Sequence, residues 1–169
     1  NTVVDLTFVK ALGDLFVEAI AAPAFDSAAL ARLTAKRKNC RLLHIEASSK
    51  SSFELRSVVG GLLAQTPDRG DPPETQWRVV SQRKPTTAET EALKYAWQAV
   101  QHVKSNAIVL AVPNATVGIG GGLPSRVDAA RIGVQKAGDR AHGAVMASDA
   151  YFPFADGIEV VIAAGVTAV

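Results

Sequence analysis

Apolar runs and amphipathic segments alternate along the first third of the chain. The apolar run 16–22 stops at Pro23 and predicts a buried strand. A helix capped by Asp26 or Ser27 follows, and residues 41–46 (RLLHIE) predict a second strand. Strand, helix and strand within about thirty residues are typical of a βαβ unit with parallel strands.

The middle of the chain has a weaker pattern. The serine-rich stretch 47–52 predicts a loop. The apolar residues 58–65 predict a strand in which two adjacent glycines mark a bulge or a close backbone approach. Proline and glycine over residues 66–75 predict a surface turn. Residues 77–81 (WRVVS) predict a further extended segment.

A strong helix signal follows Pro85. Thr86 and Glu89 have the spacing of a capping box, in which each residue satisfies a free N–H group of the other. Apolar residues then recur at helical spacing and predict one apolar face of the helix: Leu93, Ala96, Trp97, Val100 and Val103.

The last third of the chain continues the alternation. Apolar residues 107–112 predict a buried strand, and a turn leads to a second strand over 116–119. Ser125 and Asp128 predict the start of a helix that stops at Gly138. The remaining elements are a strand over 143–147, a loop over 148–154, a helix from Asp156 and an apolar terminal strand. The class predicted is α/β, with three layers and a mixed sheet.

Composition narrows the class of protein. The chain has 169 residues, of which 48% are hydrophobic, and its length fits one domain or two small ones with a real core. A net charge of +2, from 18 basic and 16 acidic residues, does not favour a nucleic-acid partner. The single cysteine, Cys40, excludes a disulfide within the chain, and no apolar run approaches the roughly 20 residues of a membrane helix.

The two ends of the sequence suggest a fragment. The first residue is Asn1 rather than methionine, and the chain stops in a β-branched apolar run at Val169. Because such a run is typical of a buried strand, we expect the chain to be a piece of a longer protein.

The glycine loop 118–126 is the first candidate for chemistry. It joins a strand to a helix, where backbone N–H groups are available to an anion. It matches neither the dinucleotide fingerprint nor the P-loop. Three consecutive glycines beside Arg126 favour a ligand loop over a simple tight turn.

A second candidate is the aromatic loop 148–156 (SDAYFPFAD). Tyr151, Phe152 and Phe154 cluster around a proline with carboxylates on both sides, which suits a pocket for a flat ring. Alternatively, Phe152 and Phe154 cover the core while Asp156 caps the next helix.

Other polar residues are less specific. Residues 104–106 (KSN) lie at a helix-to-strand junction and either face a site at the sheet edge or cap the helix. Glu18 lies within an apolar run, so its charge must be paired or face a ligand. The three histidines are scattered and no zinc motif is present, so we expect no zinc.

Five segments occur in a familiar order: LRSVVGGLLAQTPD, WRVVSQRKPT, HVKSNAIVLA, TVGIGGGLPSRVD and GAVMASDAYFPFADGIE. Together they resemble the transformylase part of the AICAR transformylase/IMP cyclohydrolase family, over nearly the whole chain. The resemblance implies a cytoplasmic enzyme that moves a formyl group from 10-formyltetrahydrofolate to AICAR, giving FAICAR, within a protein that is also an IMP cyclohydrolase. It also implies a homodimer built from two cytidine-deaminase-like halves, of which residues 1–169 form the second, truncated at its C-terminus.

The resemblance assigns roles to particular residues. Asn106 matches a catalytic amide beside the reacting amine. The matched substrate-binding residues are Glu18, Arg126, Tyr151 and Asp156. The matched folate-binding residues are Val127, Phe152 and Pro153, and Ser105 and Asp149 are candidates for a potassium ion.

Some residues depart from the family pattern. Leu123 and Pro124 replace the usual residues before Ser125, and Ala155 stands where arginine is common. The family's K-H-x-x-P-x-G motif, which carries its catalytic lysine and histidine, is absent from the sequence. We therefore expect the isolated chain to be inactive. The alternative is a non-catalytic nucleotide- or folate-binding module derived from this fold.

Overall fold

The computed structural model describes residues 2–46, 52–72 and 74–169, which fall into two compact units, Asn1–Pro67 and Asp68–Val169. The predicted serine loop lies largely outside the described residues, since only Ser52 is described. The α/β prediction is confirmed, because helices and strands occur in both units.

The first unit begins with a helix that the sequence pattern did not reveal. This helix, α1 (Leu6–Leu12), is capped by Asp5, whose carboxylate accepts the N–H of Phe8 at 2.8 Å. Helix α2 (Ser27–Lys36) then connects two parallel strands, β1 (Ala19–Ala22) and β2 (Arg41–His44). The predicted βαβ unit is confirmed, although both of its strands are shorter than expected.

The double glycine forms a hairpin rather than a bulged strand. Strands β3 (Glu54–Val58) and β4 (Gly61–Gln65) pair antiparallel, with Val58 opposite Gly61. The prediction of one continuous strand over 58–65 was wrong because Gly60, at φ 84°, lets the chain reverse. Every residue of the two strands is exposed, including Leu55 and Leu62.

The second unit is built on a three-stranded sheet in the order β6–β5–β7. Its strands are β5 (Ile108–Val112), β6 (Ala115–Gly120) and β7 (Val145–Ser148), all antiparallel. The terminal run adds a parallel bridge between Val145 and Ala168, so pairing here is mixed as predicted. Residues 77–81 belong to no strand or helix, so the extended segment expected there stays a prediction.

Helices cover both faces of this sheet. Helix α3 (Thr87–Val100) packs on the face that carries Val109 and Val145. Helices α4 (Arg126–Ala137) and α5 (Asp156–Ala163) pack on the face that carries Leu110 and Met146.

Both capping predictions are confirmed. Thr86 and Glu89 form the complete capping box of α3. The Ser125 side chain caps α4 by accepting the N–H of Asp128 at 3.2 Å, and Gly138 ends that helix. Helices α4 and α5 both begin at the edge of the sheet where β5 starts and β7 ends.

Candidate functional site

The glycines of the strand–helix loop serve close packing. A Cβ atom on Gly118 would overlap the carbonyl oxygen of Gly133, and one on Gly120 would overlap that of Ala129. Strand β6 therefore approaches helix α4 more closely than any side chain would allow. The pocket at the start of α4 begins at Pro124, after the glycines. The interpretation of these glycines as ligand contacts is not supported by this packing.

A pocket of about 340 Å³ opens where α4 and α5 begin. It brings together most of the residues predicted for the site, although they come from three separate segments of the chain. The predicted residues that line it are Asn106, Arg126, Val127, Tyr151, Pro153 and Asp156. Pro124, Ser125 and Phe154 also line it, and the family resemblance assigned no role to them.

Arg126 is the most enclosed charged residue of this pocket, with only 9% of its side chain exposed. Its Nη1 donates to the carboxylate of Asp149, to the Ser148 hydroxyl at 3.0 Å and, at 3.4 Å, to a backbone carbonyl. Its guanidinium carbon lies 5.8 Å from the centre of the Phe152 ring, within cation–π range. The hydrogen bonds therefore fix the Nη1 edge of the guanidinium, and the Phe152 ring covers one of its faces.

One buried donor of Arg126, its Nε–H group, makes no hydrogen bond to the described residues. A buried donor without a partner costs roughly 1–3 kcal/mol, so a ligand oxygen that accepts this N–H would be bound favourably.

Asn106 is held through its amide nitrogen. Nδ2 donates to the carbonyl oxygen of Leu123 at 2.9 Å, and the backbone N–H of Asn106 donates to the same oxygen at 3.2 Å. Because that carbonyl can only accept, the side-chain oxygen Oδ1 must be the free end of the amide. Oδ1 has no partner among the described residues and is available to accept a hydrogen bond from a ligand N–H.

Asp149 connects the segments that carry Asn106 and Arg126. Its Oδ1 accepts the N–H of Ala107 at 2.9 Å as well as the Arg126 guanidinium. Burial raises the pKa of Asp149, but hydrogen bonds from Ser105 and Ala107, together with Arg126, outweigh burial and lower it. The carboxylate is thus held ionised at neutral pH.

The aromatic loop has a divided role. Tyr151 and Phe154 are 80% and 73% exposed and line the pocket, whereas Phe152 is half-buried and packs against the core beneath Arg126. Asp156 is the first residue of α5 rather than its cap, and its carboxylate accepts the N–H of Gly157 at 2.7 Å. Neither of the two alternatives for this loop holds for all of its residues.

Glu18 lies in the first unit, in a separate pocket of about 720 Å³. It immediately precedes β1 and is exposed, and its carbonyl oxygen accepts the N–H of Arg41 at 2.9 Å. The expectation that Glu18 lies within the strand was therefore wrong. Basic residues of the same pocket are partly structural, since Arg37 donates to the carbonyl oxygens of Gly13 and Leu15 at 2.7 and 2.6 Å.

Ser105 and Asp149 were expected to hold a potassium ion. Asp149 instead pairs with Arg126, whose positive charge would repel a cation at the same carboxylate. The described residues also contain no group of three His, Cys, Asp or Glu side chains placed to hold a metal. In this structure the carboxylate of Asp149 is paired with a guanidinium, and the assignment of Ser105 and Asp149 to potassium stays a prediction.

The fold and the pocket define an α/β binding domain whose site combines a buried arginine, a free amide oxygen and exposed aromatic rings. A family model described as AICARFT/IMPCHase bienzyme matches residues 1–136. The chain belongs to this family. No helix within the described ranges has the length and apolar character needed to cross a membrane.

Individual relatives agree with the family model. The chain is 49% identical, over 174 aligned residues, to the bifunctional purine biosynthesis protein PurH of Chloroflexus aurantiacus. It is 44% identical over 173 residues to the protein of the same name from Streptococcus pyogenes serotype M4. Both alignments cover 100% of this chain and 34% of the relative, so the chain spans about a third of the length of the curated relatives it matches.

Proposed function

We propose that the protein containing this chain transfers a formyl group from 10-formyltetrahydrofolate to the 5-amino group of AICAR. The observation that carries the proposal is the convergence of Asn106, Arg126 and Tyr151 on one pocket, in a chain of this family. The parent protein is then a cytoplasmic purine-biosynthesis enzyme that also closes FAICAR to IMP.

The reaction requires orientation because the attacking amine is a weak nucleophile. Its nitrogen attacks the formyl carbon and a tetrahedral oxyanion forms. The amine loses a proton, the bond from the formyl carbon to the folate N10 breaks, and N10 takes up a proton as tetrahydrofolate leaves. Holding two ring systems in register can supply a large part of the barrier reduction. We assign this orienting role to the present chain, and the base and oxyanion donor to the lysine and histidine of the absent K-H-x-x-P-x-G motif.

Asn106 suits the amine. With Nδ2 bonded to Leu123, its Oδ1 can only accept, and the 5-amino group of AICAR can only donate usefully to it. A hydrogen bond from the amine N–H to Oδ1 would orient the nitrogen lone pair toward the formyl carbon. Asn106 therefore aligns the nucleophile and does not itself remove the proton.

Arg126 suits a carbonyl oxygen of AICAR. Its buried Nε–H lacks a partner among the described residues, and Nη1 is held by Asp149 and Ser148. The carboxamide oxygen of AICAR would satisfy that donor once the side chains that cover Nε move aside on binding. Asp156, at the rim of the same pocket, would accept N–H groups shared by the nucleotide and the folate.

The exposed rings suit the folate. Tyr151 and Phe154 present apolar faces to the pocket, and Val127 and Pro153 line it with them. A pteridine ring can stack on such faces while AICAR occupies the arginine side. Phe152 is assigned here to supporting Arg126 rather than to direct folate contact.

The wider assembly is proposed on the resemblance. The chain corresponds to the second cytidine-deaminase-like half of the transformylase, and Glu18 is assigned to the nucleotide. The exposed apolar side chains of the β3–β4 hairpin, such as Leu55 and Leu62, support a homodimer in which a partner covers apolar surface. No step is assigned to a potassium ion.

Steady-state formyl transfer by the full-length gene product tests the proposal. We expect turnover by the wild type, and a loss of about 10–150-fold in kcat/KM for Arg126→Gln, the effect of one charged hydrogen bond. Arg32→Gln, an exposed arginine on α2, is the matched control. AICAR or folate binding without turnover by the wild type would instead favour the non-catalytic module.

A further inference from the structure

We propose that Asp149 is a positioning residue that sets Arg126 and Asn106 in register, rather than a ligand for a cation. This inference rests on the proposed function and adds a residue to it. It starts from the ion pair between Asp149 and Arg126, which joins residues 23 positions apart, and Arg126 itself lines the pocket.

A single oxygen atom carries the connection. Oδ1 of Asp149 accepts the Ala107 N–H at 2.9 Å and also contacts Nη1 of Arg126. Ala107 directly follows Asn106, so the carboxylate fixes the backbone of the amide segment and the side chain of the arginine together.

Burial makes the connection rigid. Only 9% of the Arg126 side chain and 19% of the Asp149 side chain are exposed. Ser148 holds Nη1 as well, and its own hydroxyl donates to the carbonyl oxygen of Ala150 at 2.7 Å. In such an enclosed place an ion pair is weakly screened and the arginine has few alternative rotamers.

The position of the buried Nε follows from this arrangement. With Nη1 fixed by Asp149 and one face of the guanidinium beside Phe152, Nε stays buried without a partner among the described residues. Removing the Asp149 charge would release the guanidinium to turn and satisfy Nε elsewhere. A displacement of about 1 Å in such a group can lower turnover by about 10²-fold.

A double-mutant cycle in the full-length gene product tests the role. Asp149→Asn keeps an acceptor for the Ala107 N–H but removes the charge that holds Arg126. We expect it to lower kcat/KM for AICAR by about 10²-fold, while the KM for the folate stays unchanged. In an Arg126→Gln background the same substitution should cost less than about twofold, because its target is gone. Additive losses in the cycle would overturn the proposal.

Two further variants guard against a folding artefact. Ser148→Ala removes one of the same Arg126 contacts and should lower kcat/KM about fivefold, the effect of one hydrogen bond. Asp139→Asn, an exposed aspartate, is the matched control and should leave kcat/KM unchanged. A Ser148→Ala variant with wild-type kinetics would count against the proposal.

Replacing potassium distinguishes a positioning role of Asp149 from a role as a cation ligand. The double-mutant cycle is repeated with potassium chloride replaced by N-methylglucamine chloride. We expect the Asp149→Asn effect to be the same in both salts. If the wild type loses the same factor without potassium while Asp149→Asn is insensitive to it, Asp149 is a cation ligand and the proposal fails. A wild type that shows no formyl transfer in either salt would instead refute the proposed function.

Discussion

The side-chain nitrogen of Asn106 donates to the carbonyl oxygen of Leu123 at 2.9 Å, which fixes the direction of the amide. The two residues are 17 positions apart, so the bond ties the start of β5 to the loop before α4. It leaves Oδ1 as the free end of the amide. An aspartate of the same shape has no N–H group and could not donate to the Leu123 carbonyl oxygen.

Asn106→Asp tests that polarity. The substitution places a carboxylate oxygen against the Leu123 carbonyl oxygen, so the side chain must turn and the amine loses its acceptor. We expect kcat for formyl transfer by the full-length gene product to fall by about 10²-fold. Gln135→Glu makes the same chemical change on the exposed surface of α4 and should have no effect. Equal activities of the two variants would contradict the assignment.

Tyr151 is predicted to act through its ring. The side chain is 80% exposed at the rim of the pocket, where stacking on a flat ligand would bury it. Tyr151→Phe keeps the ring and should leave the KM for the folate within about twofold, whereas Tyr151→Ala should raise it about tenfold. Steady-state kinetics with varied folate measure both. A Phe variant as impaired as the Ala variant would assign the role to the hydroxyl instead.

Gly120 is predicted to be required for folding. Because an added Cβ would overlap the Ala129 carbonyl oxygen, strand β6 and helix α4 would have to separate. We expect Gly120→Ala to lower the free energy of unfolding by about 3 kcal/mol in denaturant titrations. Gly61→Ala is the control, since its Cβ meets nothing within 4 Å and should change stability by less than about 0.5 kcal/mol. Similar midpoints for the two variants would contradict the packing role.

Glu89 is predicted to make stability depend on pH. Hydrogen bonds from Arg83 and from the Thr86 N–H lower its pKa well below the ordinary range in the folded state. Between the folded and unfolded pKa values the unfolded chain binds more protons, so folding is favoured as pH rises. The stabilisation is complete above about pH 4.3 and is lost as the pH falls further. Denaturant midpoints from pH 7 to pH 3 measure this dependence.

Glu89→Gln removes the titrating group and should flatten that part of the pH profile. The neutral amide cannot replace the bidentate pairing with Arg83, whose two bonds are both 2.9 Å long. Glu91→Gln, on the exposed side of α3, is the control and should retain the wild-type profile. Parallel profiles for wild type and Glu89→Gln would be inconsistent with the capping-box ion pair.

Features that depend on neighbouring residues could be predicted from the sequence. The Thr86–Glu89 and Ser125–Asp128 pairs are local, because each links residues three positions apart. Strand β5 was equally clear, since a short continuous apolar run bounded by polar residues is typical of a buried strand. These elements also place Arg126 and Asn106 near one sheet edge.

Features that depend on tertiary packing could not be predicted from the sequence. The glycine run resembles a ligand loop in sequence, and only the approach of α4 shows that Gly118 and Gly120 are needed for packing. The pairing of Arg126 with Asp149 has no local signal, and Asp149 was expected to bind a cation. Hairpin β3–β4 was missed because its apolar residues do not alternate cleanly with polar ones.

The most direct test is a crystal structure of the full-length gene product with AICAR bound. We expect the 5-amino nitrogen within hydrogen-bond distance of Asn106 Oδ1, and the carboxamide oxygen within hydrogen-bond distance of Arg126 Nε. AICAR bound in the protein with contacts to neither residue would contradict the assignment of this pocket to formyl transfer.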